Sequence, residues 1–170
     1  GPPQNPHDRE IELRRRKLVV KVKQTDAAEK AERLWNQAAP SDGSHSYLRD
    51  KQVKPHGLRR TGAVLLIPLY DGDGNMATLQ RVQSDGSKRF IPGGKTKGCH
   101  HTIGDPEGAE RVLICEGWAT GATLHEATGL AVVCAMNCGN LQAVVEQFRE
   151  NHEVMICADD DYQTEQKQSR

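Results

Sequence analysis

At 170 residues the chain has room for one or at most two small domains with a modest core. Its 23 basic and 23 acidic side chains cancel, so net charge selects no partner, and neither a secretory hydrophobic segment nor a membrane-spanning apolar stretch is present, which argues against a membrane role. Of five cysteines, three lie within apolar runs and read as reduced thiols packed as small hydrophobes, the usage of a cytoplasmic protein.

Gly1-Pro2 in place of methionine reads as a protease scar, so an excised fragment is expected. Residues 1 to 9 are predicted to be a disordered leader, because Pro2, Pro3 and Pro6 oppose helix. Glu10 to Ala38 contains neither proline nor glycine and favours helix. As one helix it would be about 44 Å long. The preferred reading breaks it near Gln24-Thr25-Asp26, with Thr25 or Asp26 capping a second helix that buries Ala31, Leu34, Trp35 and Ala38. The basic run Arg14 to Lys17, with Lys21 and Lys23, is a solvated helix face or, alternatively, a nucleic-acid contact.

Pro40 to Gly62 reads as loop with short turns. Ala63 to Tyr70 is a predicted strand, Asp71 to Asn75 a turn and Met76 to Gln83 the returning strand, with Pro68 suited to an edge. The turn is not a calcium loop, since Met76 and Val82 occupy the positions that need glycine and glutamate. Lys88 to Gly98 is rich in glycine and carries the cations Lys88, Arg89, Lys95 and Lys97. Glycine allows close backbone approach and the cations suit a triphosphate or a template backbone, although a third hairpin with solvated lysines explains the composition as well. No Walker spacing is present. Cys99-His100-His101 are too crowded to wrap one tetrahedral zinc, and no second ligand pair accompanies them.

From Arg111 onward the pattern changes. The apolar runs Val112–Cys115, Ala131–Ala135 and Val154–Ala158 are short and largely β-branched, as strands buried on both faces are. The segments between them fit right-handed helical crossovers, so the strands should be parallel. Trp118 to Ala127 is expected to be helical and to end at Gly129; Leu141 to Glu150 is expected to follow with Asn140 as N-cap and Leu141, Val144, Val145 and Phe148 on the sheet. In such a sheet the C-terminal strand ends share one edge, where ligands bind. Glu116 follows the first run and Asp159-Asp160-Asp161 the third, so these acids should converge, with Gly117 turning the chain so that Glu116 faces the crevice. If the strand persists, Asp159 and Asp161 leave on one face roughly 7 Å apart. Carboxylates so placed suit a hard cation, Mg²⁺ or Mn²⁺. Strand-end acids also serve as caps or solvated turn charges.

Glu116-Gly117-Trp118-Ala119-Thr120, Leu124 to Gly129, Asn140-Leu141 and Asp159 to Asp161 together resemble the Toprim domain of plasmid and phage primases, in particular the group with an EGYATA-type motif. Trp118 stands where that group usually has tyrosine, and Gly121 follows the threonine. Tyr47-Leu48 and Gly57-Leu58-Arg59 resemble the segment ahead of the catalytic fold in these primases, which carry a similar basic, glycine-rich stretch before Toprim and often a zinc-ribbon module, not expected here. Toprim domains continue past the last acids with a further helix and strand; Tyr162 to Arg170 is polar, so the resemblance stops early.

The expected fold is α/β with an α+β N-terminal part: a basic helical segment over 1–40, a mixed and mainly antiparallel subdomain over 41–108, and a partial Toprim domain over 109–170. The resemblance implies metal-dependent synthesis of short RNA primers on a single-stranded DNA template from ribonucleoside triphosphates, in plasmid or phage replication and in company with a fused or separate replicative helicase. Asp159 and Asp161 would hold Mg²⁺, Glu116 would ligate a second ion or take a proton from the 3′-hydroxyl, and Lys88, Arg89, Lys95 and Lys97 would neutralise triphosphate or template. A Toprim-type nuclease and a non-catalytic single-strand-binding fragment remain as alternatives.

Overall fold

The computed structural model describes residues 5–158, so Asp159, Asp160 and Asp161 lie outside the described residues. Helix α1 runs unbroken over Pro6–Gln37. Two expectations fail here, the leader only over the described residues 5–9, since residues 1–4 lie outside them. Pro6 opens the helix at a position whose N–H needs no partner, and the Asn5 side chain accepts the Asp8 N–H at 2.9 Å as its cap. The break near Thr25 does not occur: the helix runs on over the sheet that buries Ala27 and Ala31, and the Thr25 hydroxyl, instead of capping, donates back to the Lys21 carbonyl, 3.0 Å away. From Ala27 onward α1 lies on a five-stranded antiparallel sheet, with Ala27 and Ala31 buried against Leu66 and Leu79 and with Leu34, Trp35 and Ala38 beside them. Its first half projects past the sheet and leaves Ile11, Leu13, Leu18, Val19, Val20 and Val22 exposed.

That sheet has the order β1 (Ala39–Pro40), β2 (Arg59–Thr61), β3 (Val64–Tyr70), β4 (Met76–Val82), β5 (Lys88–Phe90). The 40–62 stretch is therefore more structured than its composition suggests: β1, β2 and the short helix α2 (Ser46–Lys51) lie within or beside it. Pro68 sits on an inner strand, β3, instead of at the sheet's edge. Since β2 pairs only with Val64 to Leu66, one side of Pro68 is open, and its carbonyl accepts from the His101 ring at 2.8 Å. The β3–β4 turn is closed by Asp71, whose carboxylate accepts the N–H groups of Asp73 and Asn75, each at 2.9 Å.

The second sheet has the order β6 (His101–Ile103), β8 (Val132–Cys134), β7 (Arg111–Cys115), β9 (Glu153–Ile156). The three predicted runs pair in parallel around β7, while β6 joins antiparallel, making the sheet mixed. Helix α3 (Trp118–Thr128) covers one face and ends at Gly129 in the left-handed conformation, and α4 (Leu141–Phe148) covers the other with Val144 and Val145. Strands β7 and β8 are buried as expected. The third run is not, because β9 is the outer strand among the described residues and Met155 and Ile156 are exposed there.

One core joins the two sheets. Leu65, Ile67 and Val82 of the first meet Ile103, Leu113 and Val132 of the second, with Tyr47, Leu48 and Trp118 between. Among the described residues no helix is long and apolar enough to cross a membrane.

Candidate active site

The parallel pairing sets the geometry. With Ile114 opposite Ile156 and Cys115 opposite Cys134, the C-terminal ends of β7, β8 and β9 share one edge of the sheet. Glu116 is the first residue past β7, and its carbonyl accepts the Met136 N–H at 2.7 Å, so the chain ends after β7 and β8 stay hydrogen-bonded. Met136 takes φ +72°, a left-handed conformation unfavourable for a branched or long side chain, at the point where β8 leaves the sheet. Glu116 is partly buried, and no hydrogen bond or ion pair among the described residues holds its carboxylate. Three residues beyond Ile156 stands Asp159, which, like Asp161, lies outside the described residues.

The close fit of α3 over this edge depends on a glycine. A Cβ on Gly121 would run into the Cys134 sulfur and come within 3.3 Å of that of Cys115, so the departure noted in the motif is the residue that lets α3 sit on β7 and β8. Trp118, in the first turn of α3, is buried between the two sheets with its ring 6.5 Å from that of Tyr47, and its Nε1 finds no hydrogen-bond partner among the described residues.

The four predicted cations separate into sets. Lys88 pairs across the strands with Val82, whose side chain lies in the inter-sheet core, and its ammonium donates to the Tyr47 hydroxyl at 3.3 Å and lies 4.8 Å from that ring's centre. Arg89, one residue on, pairs with Arg81 and so projects from the opposite face, the one that carries α1. The strand's own alternation therefore sets Arg89 and Lys88 on opposite faces of the sheet. Lys95 and Lys97 are exposed on the loop after β5. That loop crosses β4 closely, since a Cβ on Gly94 would stand 2.6 Å from the Thr78 hydroxyl.

Asn140 was expected to cap α4 with its side chain, and it does not. It is buried, its oxygen accepts the Gly98 N–H at 2.6 Å, and its amide nitrogen faces the carbonyls of Cys99 (2.7 Å), Thr96 (3.1 Å) and Ala135 (3.1 Å). A buried amide finding partners 41 to 44 residues away carries no local sequence signal. Its burial beside a glycine-rich loop could have been suspected only from the amide standing between two apolar runs.

Cys99 and His101 serve packing. The Cys99 thiol is buried, which pushes its pKa up, and the His101 ring donates through Nδ1 to the Pro68 carbonyl. Across the molecule His56 Nε2 meets Glu126 at 2.7 Å and ties the 53–58 loop to α3; burial alone would raise the Glu126 pKa, but this bond and the Lys54 N–H outweigh it and leave it lowered.

The family comparison falls on this region, where residues 111–169 match the model of the Toprim domain. Over those residues the chain is similar to a Toprim domain. Two curated relatives, both named DNA primase TraC and both from Escherichia coli, extend the similarity upstream. One is 39% identical over an alignment of 147 residues taking in 79% of this chain and 14% of the relative; the other is 34% identical over 159 residues, 85% and 11%. The chain thus spans about an eighth of the length of the curated relatives it matches. A solved complex of bacteriophage T7 lagging-strand DNA polymerase with primase domains bound to an RNA/DNA hybrid and dTTP matches at a TM-score of 0.39 and 14% identity, over 60% of this chain and 56% of that one, too distant to argue from. The Toprim resemblance read from Glu116, Asn140 and the aspartates is therefore upheld at the level of the domain and of similarity to primases.

Proposed function

We propose that this chain is part of the catalytic region of a DNA primase that makes short RNA primers on single-stranded DNA, as the names of its curated relatives suggest. The observation that carries the reading is Glu116: a carboxylate without a described partner, at the C-terminal end of a central parallel strand, beside a chain end tied through Ala135 and Asn140 to a lysine-bearing loop. Ligands of open parallel sheets bind at that edge.

The donor set fits a hard divalent cation, Mg²⁺ or Mn²⁺, because the acids at this edge by sequence, Glu116, Asp159 and Asp161, offer only oxygen. Among the described residues no group of three or more His, Cys, Asp or Glu gathers as a metal cluster, so the proposal uses the aspartates from sequence alone. Such an ion, when bound, neutralises triphosphate charge and fixes the reacting oxygens. Glu116 either shares in holding it or accepts the 3′-hydroxyl proton. Lys88, steadied by Tyr47, and Lys95 and Lys97 from the loop pair with triphosphate or template oxygens, and Arg89, on the opposite face, contacts nucleic acid only outside this crevice. Plasmid or phage replication, a cytoplasmic setting and a helicase partner complete the proposal.

The test is incubation of the longer protein containing this chain with single-stranded DNA, labelled ribonucleotides and Mg²⁺ or Mn²⁺. Primer synthesis lost in Glu116→Gln, with melting temperature kept, is the expected result, since a charge acting as ligand or base is worth roughly 10²–10⁴ in rate. Degradation of the template instead would make the chain a Toprim-type nuclease, and binding without either product a single-strand-binding module. Wild-type yield from the variant would remove Glu116 from the mechanism.

A further inference from the structure

We infer that Asn140, assisted by Gln147, is the positioning residue that holds the Lys95–Lys97 loop as a preformed anion cradle over the acid-bearing strand edge. The inference rests on the functional reading above, in which that loop meets phosphate.

Both backbone groups of Gly98 are held by side chains from one helical segment. Asn140 accepts its N–H at 2.6 Å and Gln147, in the last turn of α4, donates to its carbonyl at 2.7 Å. The Asn140 amide nitrogen closes the grip on Thr96 and Cys99, which bracket Lys97, and reaches back to Ala135 at the end of β8. Ala135 in turn donates to the Cys115 carbonyl at 2.9 Å, and Met136 to that of Glu116 at 2.7 Å. A continuous path of hydrogen bonds therefore runs from the loop backbone to the residue carrying the acid. Just downstream, Tyr70 and His100 exchange two backbone bonds of 2.8 and 2.9 Å that fix the loop's exit.

Asn suits this position better than its neighbours in size. One carbonyl and one NH₂ in a flat group serve an N–H donor on one side and carbonyl acceptors on the other, and no other short side chain offers two donors beside an acceptor. Aspartate would leave the carbonyls facing a negative oxygen. Alanine would leave the buried carbonyls of Cys99 and Ala135 without this donor. The lysine side chains themselves are exposed, and the bonds act on where the loop backbone sits. A loop held in its binding shape avoids the ordering cost that a mobile one meets when an anion arrives.

The experiment is a cycle on this chain with inorganic tripolyphosphate as the probe, titrated by calorimetry in wild type, Asn140→Ala, Lys95→Ala/Lys97→Ala, and the triple variant. If Asn140 acts through the lysines, its replacement weakens binding about tenfold alone and less than about twofold once the lysines are gone, the non-additivity expected of coupled groups. Equal losses in both backgrounds, or no loss from Asn140→Ala, overturn the inference. No loss from Lys95→Ala/Lys97→Ala overturns the anion role of the loop itself, a different failure. Gln147 is exposed, so Gln147→Ala keeps the fold and should reproduce a smaller loss of the same sign. Amide exchange separates positioning from general damage: protection should fall at residues 95–98 while that of Val112 to Cys115 is unchanged, and parallel loss at both overturns the assignment.

Discussion

His101 couples the junction between the sheets to pH. Burial pushes its pKa from the ordinary 6.5 down to about 4, and the Pro68 carbonyl keeps the proton on Nδ1 of the neutral ring. His100, also mostly buried, shifts in the same direction. In the unfolded chain the imidazole charges near its ordinary value, while in the folded one it stays neutral to about 4, so between those points the unfolded state binds more protons. Stability is whole above about 6.5, declines as pH falls through this window and levels off below about 4. The full effect of a shift of that size is roughly 3 kcal/mol. Melting temperature should therefore drop between neutral pH and pH 4, and His101→Gln should flatten the drop; an equal slope in the variant would place the titration elsewhere. Gly121 offers a second test at this scale. Gly121→Ala forces a methyl group against Cys134 and should cost about 1–3 kcal/mol, as overpacking does. Removing the sulfur in Gly121→Ala/Cys134→Ala should recover part of that loss, whereas a purely helix-propensity effect would make Gly121→Ala stabilising.

At the scale of elements, the alternation of β5 has a measurable outcome. Lys88 faces the inter-sheet side and Arg89 the α1 side, so the salt dependence of single-stranded DNA binding should flatten with Lys88→Ala and keep its slope with Arg89→Ala. A flattened slope from Arg89→Ala alone would move the nucleic-acid surface to the α1 face. This alternation is readable from any strand, but the three residues Lys88 to Phe90 were masked by the glycines and lysines around them, which look alike in loop and hairpin. The parallel unit was far more legible. Strands β7 and β8 are uninterrupted apolar runs because both faces are covered, and Gly129 stops α3 where a left-handed residue is needed. Strands β1 and β2 were not legible, being two and three residues long, one an Ala-Pro pair and the other polar, and held by pairing with each other and with β3 more than by their own propensity. The unbroken α1 was misread for a related reason: Thr25 looked like a cap, and only the sheet beneath Ala27 and Ala31 decides that the helix continues. Of the candidate site, the position of Glu116 followed from sheet topology, whereas the loop partners of Asn140 and the Tyr47 partner of Lys88 lie more than 40 positions away.

For the whole molecule, the shared core predicts one cooperative transition. Trp35 reports on α1 and the antiparallel sheet, and Trp118 on the contact between the sheets. Single-tryptophan variants, Trp35→Phe and Trp118→Phe, should unfold in urea with coincident midpoints once each is corrected for its own stability, the usual test of two-state behaviour. Separated transitions within one variant, by fluorescence and circular dichroism, would show that the sheets fold independently.

Helix α1 is about 48 Å long by its standard rise, yet tertiary contacts begin only near Lys23, against the Gly93 loop, and burial only at Ala27. The overhang is thus a local-opening unit: it can unwind and rewind without disturbing one buried side chain of the sheets. Its helicity rests on the Asn5 cap and on the exposed Glu10–Arg14 and Glu12–Arg16 pairs, each of which adds only a few tenths of a kcal/mol. Amides before Lys21 should exchange orders of magnitude faster than those of β7, and trypsin should cut first within Arg14 to Lys17, releasing a product whose sheets still melt as one. Raised salt, by screening those two pairs, should hasten that first cut and leave the later ones at their old rate.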